Sequence, residues 1–323
     1  MEAQVFNLST NRFPSYSNHL SVNRSSKGIL FCDFAATYLA KCRKSVKAKH
    51  CYQNVLDHFV KFCRINNIAP MTYEIGMEMM EDFVYYLQAT AKLMSTTVAG
   101  HLCHIKTLLK MASYSGYDID YTYSDVNVKT DEHDVVTLDR DEITRIYVYS
   151  NLTKSEVVVR DLFVIACQTA LRYSDFSRLK EENFIDNVIQ VKTQKTGTLV
   201  IIPQSKYVRE ILRKYNYQLP KCPCIQYFNK VIKSVCRKVG ITQSVPYERT
   251  IGLERVSLMV EKWKRIGSHS GRRSAATNMF LAGIPALRIM KITGHKTEEA
   301  FMRYIGLSKE ENAAVLAGNM FFH

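Results

Sequence analysis

Four apolar stripes of helical period fall between residues 29 and 115 and dictate the architecture of the first third of the chain. Phe31, Phe34, Ala35, Tyr38 and Leu39 make the first, and Tyr52, Val55, Leu56, Phe59, Val60 and Cys63 the second. Met80, Phe83, Val84 and Leu87 make the third, while Ser95 is placed to cap a fourth carrying Val98, Leu102, Ile105, Leu109 and Ala112. Residues three and four apart share one side of a helix, so the stripes bury against one another and predict a helical bundle over 28–116. Its polar faces carry Lys44, Lys47, His101 and Lys106. A solvated outer face accounts for such residues as readily as a binding role does. Ahead of the bundle, residues 1–27 are rich in Ser and Asn and read as a flexible polar tail. Gly116 closes it, and 117–133, with Asp118, Asp120, Asp125, Asp131 and Glu132, reads as an acidic linker.

The pattern changes over 134–323. Asp139 with Glu142 forms a capping box before a helix through Tyr149. A second apolar helix, with Val157, Leu162, Ile165, Ala166 and Thr169, runs into Ala170-Leu171-Arg172-Tyr173-Ser174-Asp175. Two β-branched runs, 188–191 and 199–202, flank Lys192, Lys195 and Gly197 and read as a hairpin. The whole is mainly α with a small β component. Residues 204–240 hold nine Lys or Arg against Glu210 alone, on two helical stretches separated by Pro220 and Pro223. Lys206, Arg209, Arg213, Lys230, Lys233 and Arg237 are the expected contacts to a polyanion. The segment 255–263 alternates loosely and is either strand or extended loop.

Overall charge points the same way. Forty-four Lys and Arg against thirty Asp and Glu leave +14, which favours a polyanion through release of its counterions. Nucleic acid is the first candidate, although net charge alone fits a membrane surface. Nine cysteines are scattered without a Cys-x-x-Cys pair, so neither a zinc ribbon nor a redox motif is indicated. Cys222 and Cys224 read as a reduced structural pair. With no leader pattern and no long apolar run, the expected location is cytoplasmic and no membrane is involved.

The last quarter carries the chemistry: His269-Ser-Gly-Arg272, then Gly294-His295, then Tyr304 nine residues on. With Arg172 and the hairpin Lys195 upstream, these residues resemble the tyrosine recombinase (phage integrase) family. Its motif is an Arg in a "GLR" segment, a hairpin Lys, His-x-x-Arg, Gly-His and a Tyr. Lys195, followed by Thr-Gly, fits the hairpin position better than Lys192, the alternative. Ala170 departs from the usual Gly.

The resemblance implies a SAM-like N-terminal core-binding bundle, a mixed α/β catalytic domain and an exchange helix at the C-terminus, where Ser308 and Glu311 suggest another capping box. It implies Tyr304 as nucleophile, Arg172 and Arg272 on the phosphate, His269 as base or hydrogen-bond partner, His295 on the transition state, Lys195 as acid and Asp175 as support. Guanidinium stays charged and presents forked donors, which suits a phosphorus gathering negative charge. The implied partners are double-stranded DNA with short inverted repeats, further copies forming a tetramer on it, and accessory DNA-bending proteins. No metal, ATP or other cofactor is implied. The tail before the bundle is short for an arm-binding domain, which favours an invertase or small-element integrase. A DNA-binding regulator of the same fold and a type IB topoisomerase-like relaxer are the alternatives.

Overall fold

The computed structural model of the chain describes residues 27–131 and 135–306, with the single positions 313 and 317. It divides into two compact units, one of residues 1–132 with 248–257, the other of 133–247 with 258–323. The first is built on α1 (Phe31–Lys41), α2 (Val46–Ile65), α3 (Met77–Tyr85) and α4 (Ser95–Tyr114). The four stripes turn inward around Phe59, whose ring meets those of Phe31 and Phe83 edge-on at 5.1 Å each. Each large apolar side chain so enclosed contributes about 1.5–3 kcal/mol.

Two expectations for this unit are corrected. Ser95 is the first helical residue and Met94 the N-cap; the Ser95 hydroxyl instead donates to Asp131 at 2.8 Å. Residues 117–131 are a docked strap rather than a free linker. Tyr123 and Val126 join the buried core, Ile119 and Val128 pack beside it, and Thr72 Oγ1 donates to the Asp118 carbonyl at 2.8 Å. The acidic residues between these apolar ones masked them. At the end of the strap, Asp131 also accepts from the amide and hydroxyl of Thr250, at 2.7 and 2.6 Å, and these bonds hold its carboxyl down at about 2.

The second unit begins with α5 (Arg140–Val148), where both halves of the Asp139–Glu142 capping box form. Then come α6 (Lys154–Thr169) and the short α7 (Tyr173–Phe176). An antiparallel sheet follows in the order β1 (Phe184–Ile185), β2 (Val188–Lys192), β3 (Leu199–Pro203), with Ile189 opposite Ile202 and Val191 opposite Val200. Alternate residues of β2 and β3 face the core, as period-two patterning requires.

The basic stretch forms α8 (Lys206–Lys214) and α9 (Ile225–Lys238). β4 (Ser244–Ile251) and β5 (Glu254–Glu261), of which residues 248–257 belong to the first unit, pair as a separate hairpin, so 255–263 is strand ending in a tight helical turn. Last come α10 (Ser268–Leu281), α11 (Ala286–Thr293) and α12 (Glu298–Ile305).

α6 is the axis of this unit. Leu162, Phe163, Val164, Ile165 and Ala166 are all buried, enclosed by α5, α8, α9 and α10. A helix buried on every side must also neutralise its charges. Asp161 accepts from Arg160 at 2.7 Å, Lys214 at 2.6 Å and Tyr215 at 2.7 Å. Leaving such a carboxylate unpaired costs about 3–5 kcal/mol. A smaller cluster of Ala276, Ile289, Met290, Phe301 and Ile305 ties α10, α11 and α12 together. The capping box at Ser308 and Glu311 lies outside the described residues. Among the described residues no helix is long and apolar enough to cross a membrane.

Candidate active site

The site begins with a glycine. Gly271 lies where α10 meets α6, and a Cβ there would stand 3.1 Å from both Ala166 Cβ and Phe163 Cε2. With only hydrogen in the gap, α10 settles against α6 and the next residue, Arg272, enters the core at 2% exposure. A buried guanidinium needs acceptors. Nη1 donates to the Ala170 carbonyl at 2.5 Å and Nη2 to the Thr293 carbonyl. Ala170 is the left-handed C-cap of α6, with φ 54°, and this reversal turns the chain toward Arg172. Arg172 Nη2 in turn reaches the same Thr293 carbonyl at 3.2 Å. Two cations that would repel each other thus share one acceptor. Burial, with Arg172 adding to it, lowers the pKa of Arg272.

Tyr304, on α12, sits within this frame. Its ring centroid is 4.6 Å from that of His295 and 5.4 Å from that of His269, while the guanidinium of Arg272 lies 5.9 Å from its centre. Its hydroxyl is buried and has no hydrogen-bond partner among the described residues. Burial raises the phenol pKa, and Arg272 and then Arg273 oppose the rise. α11 ends in left-handed Gly294, φ 69°, and the turn swings His295 back so that its Nδ1 lies 2.9 Å from Thr293 Oγ1. Burial, then Arg272 and Arg172, push the His295 pKa down to about 4. His269 is pushed down to about 4 as well, by burial first and then by Arg273, Arg272, Arg172 and His295. His269 as a residue is nonetheless exposed.

Five of the expected residues therefore meet: Arg172, His269, Arg272, His295 and Tyr304. Lys195 does not join them. It is exposed on the β2–β3 loop, as is Lys192 at the end of β2. Asp175, expected to hold a guanidinium, makes no hydrogen bond to one among the described residues. Its Oδ1 accepts from the Gln194 amide at 2.8 Å, at the root of the Lys195 loop, while buried Oδ2 has no partner among the described residues. Its charge supports Arg272 through space alone.

Arg273 and Thr293 were missed. Arg273 sets its guanidinium 5.4 Å from the Tyr304 ring centre, with a buried Nε that has no partner among the described residues. Doubled arginine is its one sequence signal. Thr293 has none beyond standing two residues before a motif histidine.

The expected polyanion contacts divide. Lys47, Lys206, Arg213, Lys230 and Arg237 are exposed; Lys44, Arg209 and Lys233 are half-buried. Arg209 is engaged with the Gln204 carbonyl at 3.0 Å, and Lys106 with the Ser124 carbonyl at 2.8 Å, fastening the strap. His101 is a core residue instead, 7% exposed, with its ring 5.3 Å from that of His58. It completes the α4 stripe three residues after Val98, and burial followed by His58 and His104 pushes its pKa down to about 4.

Sequence models of two families match the chain: the phage integrase family over residues 136–311 and the phage integrase SAM-like domain over 30–126. No curated protein matches it significantly in sequence. Among solved structures, a lambda integrase (75-356) dimer bound to a COC' core site aligns at 15% identity and TM-score 0.65, over 85% of this chain and 94% of that one. The Tn1549 transposon integrase in complex with circular intermediate DNA aligns at 12% and 0.66, over 90% and 100%. A lambda integrase tetramer bound to a Holliday junction aligns at 15% and 0.60, over 83% and 77%. At these identities the likeness is one of fold.

Proposed function

The chain belongs to the phage integrase family, and from that premise we propose that it is a site-specific recombinase that cuts and rejoins DNA through Tyr304. The observation that carries this reading is the convergence of Arg172, Arg272, His269 and His295 around the buried phenol of Tyr304. Phosphoryl transfer asks for fixed positive donors around a nucleophile, and this set supplies both.

In the proposed step Tyr304 Oη attacks the scissile phosphorus, the Oη–P bond forms and the P–O5′ bond breaks. Arg172 and Arg272 hold the non-bridging oxygens, and His295 donates to one of them. His269, neutral at pH 7, takes the phenolic proton; the arriving phosphate offsets the guanidinium charges that depress its pKa. Lys195 gives its proton to O5′, which requires the β2–β3 loop to approach the bound strand. The products are a 3′-phosphotyrosyl protein and a free 5′-hydroxyl. Because the linkage keeps the ester, a 5′-hydroxyl from another strand can reverse the step, and the scheme requires neither ATP nor a metal.

Strand exchange needs several such sites together, so the working assembly proposed is a tetramer on paired, short inverted-repeat sites. The tetramer and core-site complexes of the lambda integrase support it by analogy of fold. Lys47, Lys206, Arg213, Lys230 and Arg237 then supply backbone contacts that position the duplex.

The test uses wild type and Tyr304→Phe on nicked duplexes carrying inverted repeats, scored for a denaturant-resistant protein–DNA adduct. An adduct from wild type alone supports the reading. Binding by both with an adduct from neither favours the regulator, and an adduct from both moves the nucleophile elsewhere.

A further inference from the structure

Thr293 is fully buried at the last position of α11, and both of its polar ends are engaged with residues of the site. Its carbonyl accepts from Arg172 and Arg272; its hydroxyl lies 2.9 Å from His295 Nδ1. A threonine hydroxyl in a helix usually bonds a carbonyl one turn back. This one makes no bond other than that to His295 among the described residues.

We propose that Thr293 is a positioning residue that fixes His295 in its Nε2–H tautomer, so that the ring meets the scissile phosphate as a hydrogen-bond donor. The inference rests on the recombinase reading for its purpose, but not for its geometry.

A buried hydroxyl must give its proton to an acceptor, and Nδ1 is the acceptor in reach. If Nδ1 carried the proton and donated to Oγ1, the hydroxyl proton would be left in the core with no acceptor. Accepting at Nδ1 places the ring proton on Nε2. A bare Nε2 would set a lone pair against a phosphate oxygen, whereas Nε2–H donates to it. With its pKa at about 4, His295 is neutral at pH 7, so tautomer choice rather than protonation decides which role it takes. Thr293 thus sets two guanidiniums through its backbone and one imidazole through its side chain. Only the second function depends on residue identity.

That separation gives the experiment. The full chain, labelled with nitrogen-15 at histidine, is compared by long-range nitrogen–proton NMR as wild type, Thr293→Val and Thr293→Ser, with His295→Gln to assign the ring. Wild type and the Ser variant are expected to show acceptor-type Nδ1 and protonated Nε2, and the Val variant a mixture of tautomers. A wild-type ring protonated at Nδ1, or a Val variant identical to wild type, overturns the proposal. Should Val prevent folding, the wild-type spectrum alone decides.

In parallel, adduct formation on nicked duplex should slow roughly tenfold in the Val variant, the scale of one neutral hydrogen bond, at unchanged DNA affinity, with Ser restoring it. A tautomer shift without slower cleavage removes the catalytic purpose. No adduct from any protein, with the tautomers as expected, would sink the recombinase reading and leave the assignment of the ring standing.

Discussion

Arg272 and Lys195 are both cations expected at one phosphate, and the molecule treats them in opposite ways. Arg272 is enclosed at 2% exposure and pinned by two carbonyls from the ends of two helices. Lys195 stands exposed on a hairpin loop whose root is tied by the Gln194 amide to Asp175. The difference follows from what each must do. Charge stabilisation works best from donors that need not reorganise, whereas a proton donor must reach its oxygen and withdraw. On the recombinase reading proposed above, helix ends hold the fixed charges and a loop carries the proton donor.

The largest effect should come from breaking the fixed half. Arg272→Ala is expected to slow adduct formation by about 10²–10³ and to destabilise the fold by about 1–3 kcal/mol, because the Ala170 carbonyl loses its partner. Cleavage and melting temperature should fall together.

Breaking the other half should separate them. Lys195→Ala is expected to slow cleavage by about 10² with the melting temperature unchanged. A substrate with sulfur in place of the 5′-oxygen needs no proton on departure and should restore the rate. Lys192→Ala should behave as wild type; the reverse pattern would transfer the role to Lys192.

Acidification should have the smallest effect. In the DNA-free protein His269 and His295 both stand at about 4, so cleavage at limiting DNA should persist from pH 7 to 5, where a loss centred near the ordinary value of about 6.5 would show that they are not shielded. The sign for stability is also determined. Between about 6.5 and 4 the unfolded chain binds more protons at these positions, so stability is full above the window and declines as pH falls through it. Urea midpoints across that range measure the decline.

Much of this was legible in the sequence because helical periodicity and capping are local. The Asp139 box formed as read. What escaped was decided by contacts distant in sequence. The strap at 117–131 looked like a linker because its acidic residues are interspersed among the apolar ones that dock. His101 looked like a surface residue because the ring it packs beside, His58 on α2, is distant in sequence. Asp175 was placed in the right neighbourhood and given the wrong partner, since a loop amide leaves no trace in sequence. Thr293 was missed for a similar reason: the groups it holds are mostly bound through its backbone, which every residue possesses.

Gly271 ties two kinds of selection together. At most positions a chain can drift toward greater heat resistance at some expense in activity, or the reverse, because packing and chemistry are read by different atoms. At 271 the same missing methyl sets the approach of α10 to α6 and the depth at which Arg272 sits. A side chain added there would disturb both at once.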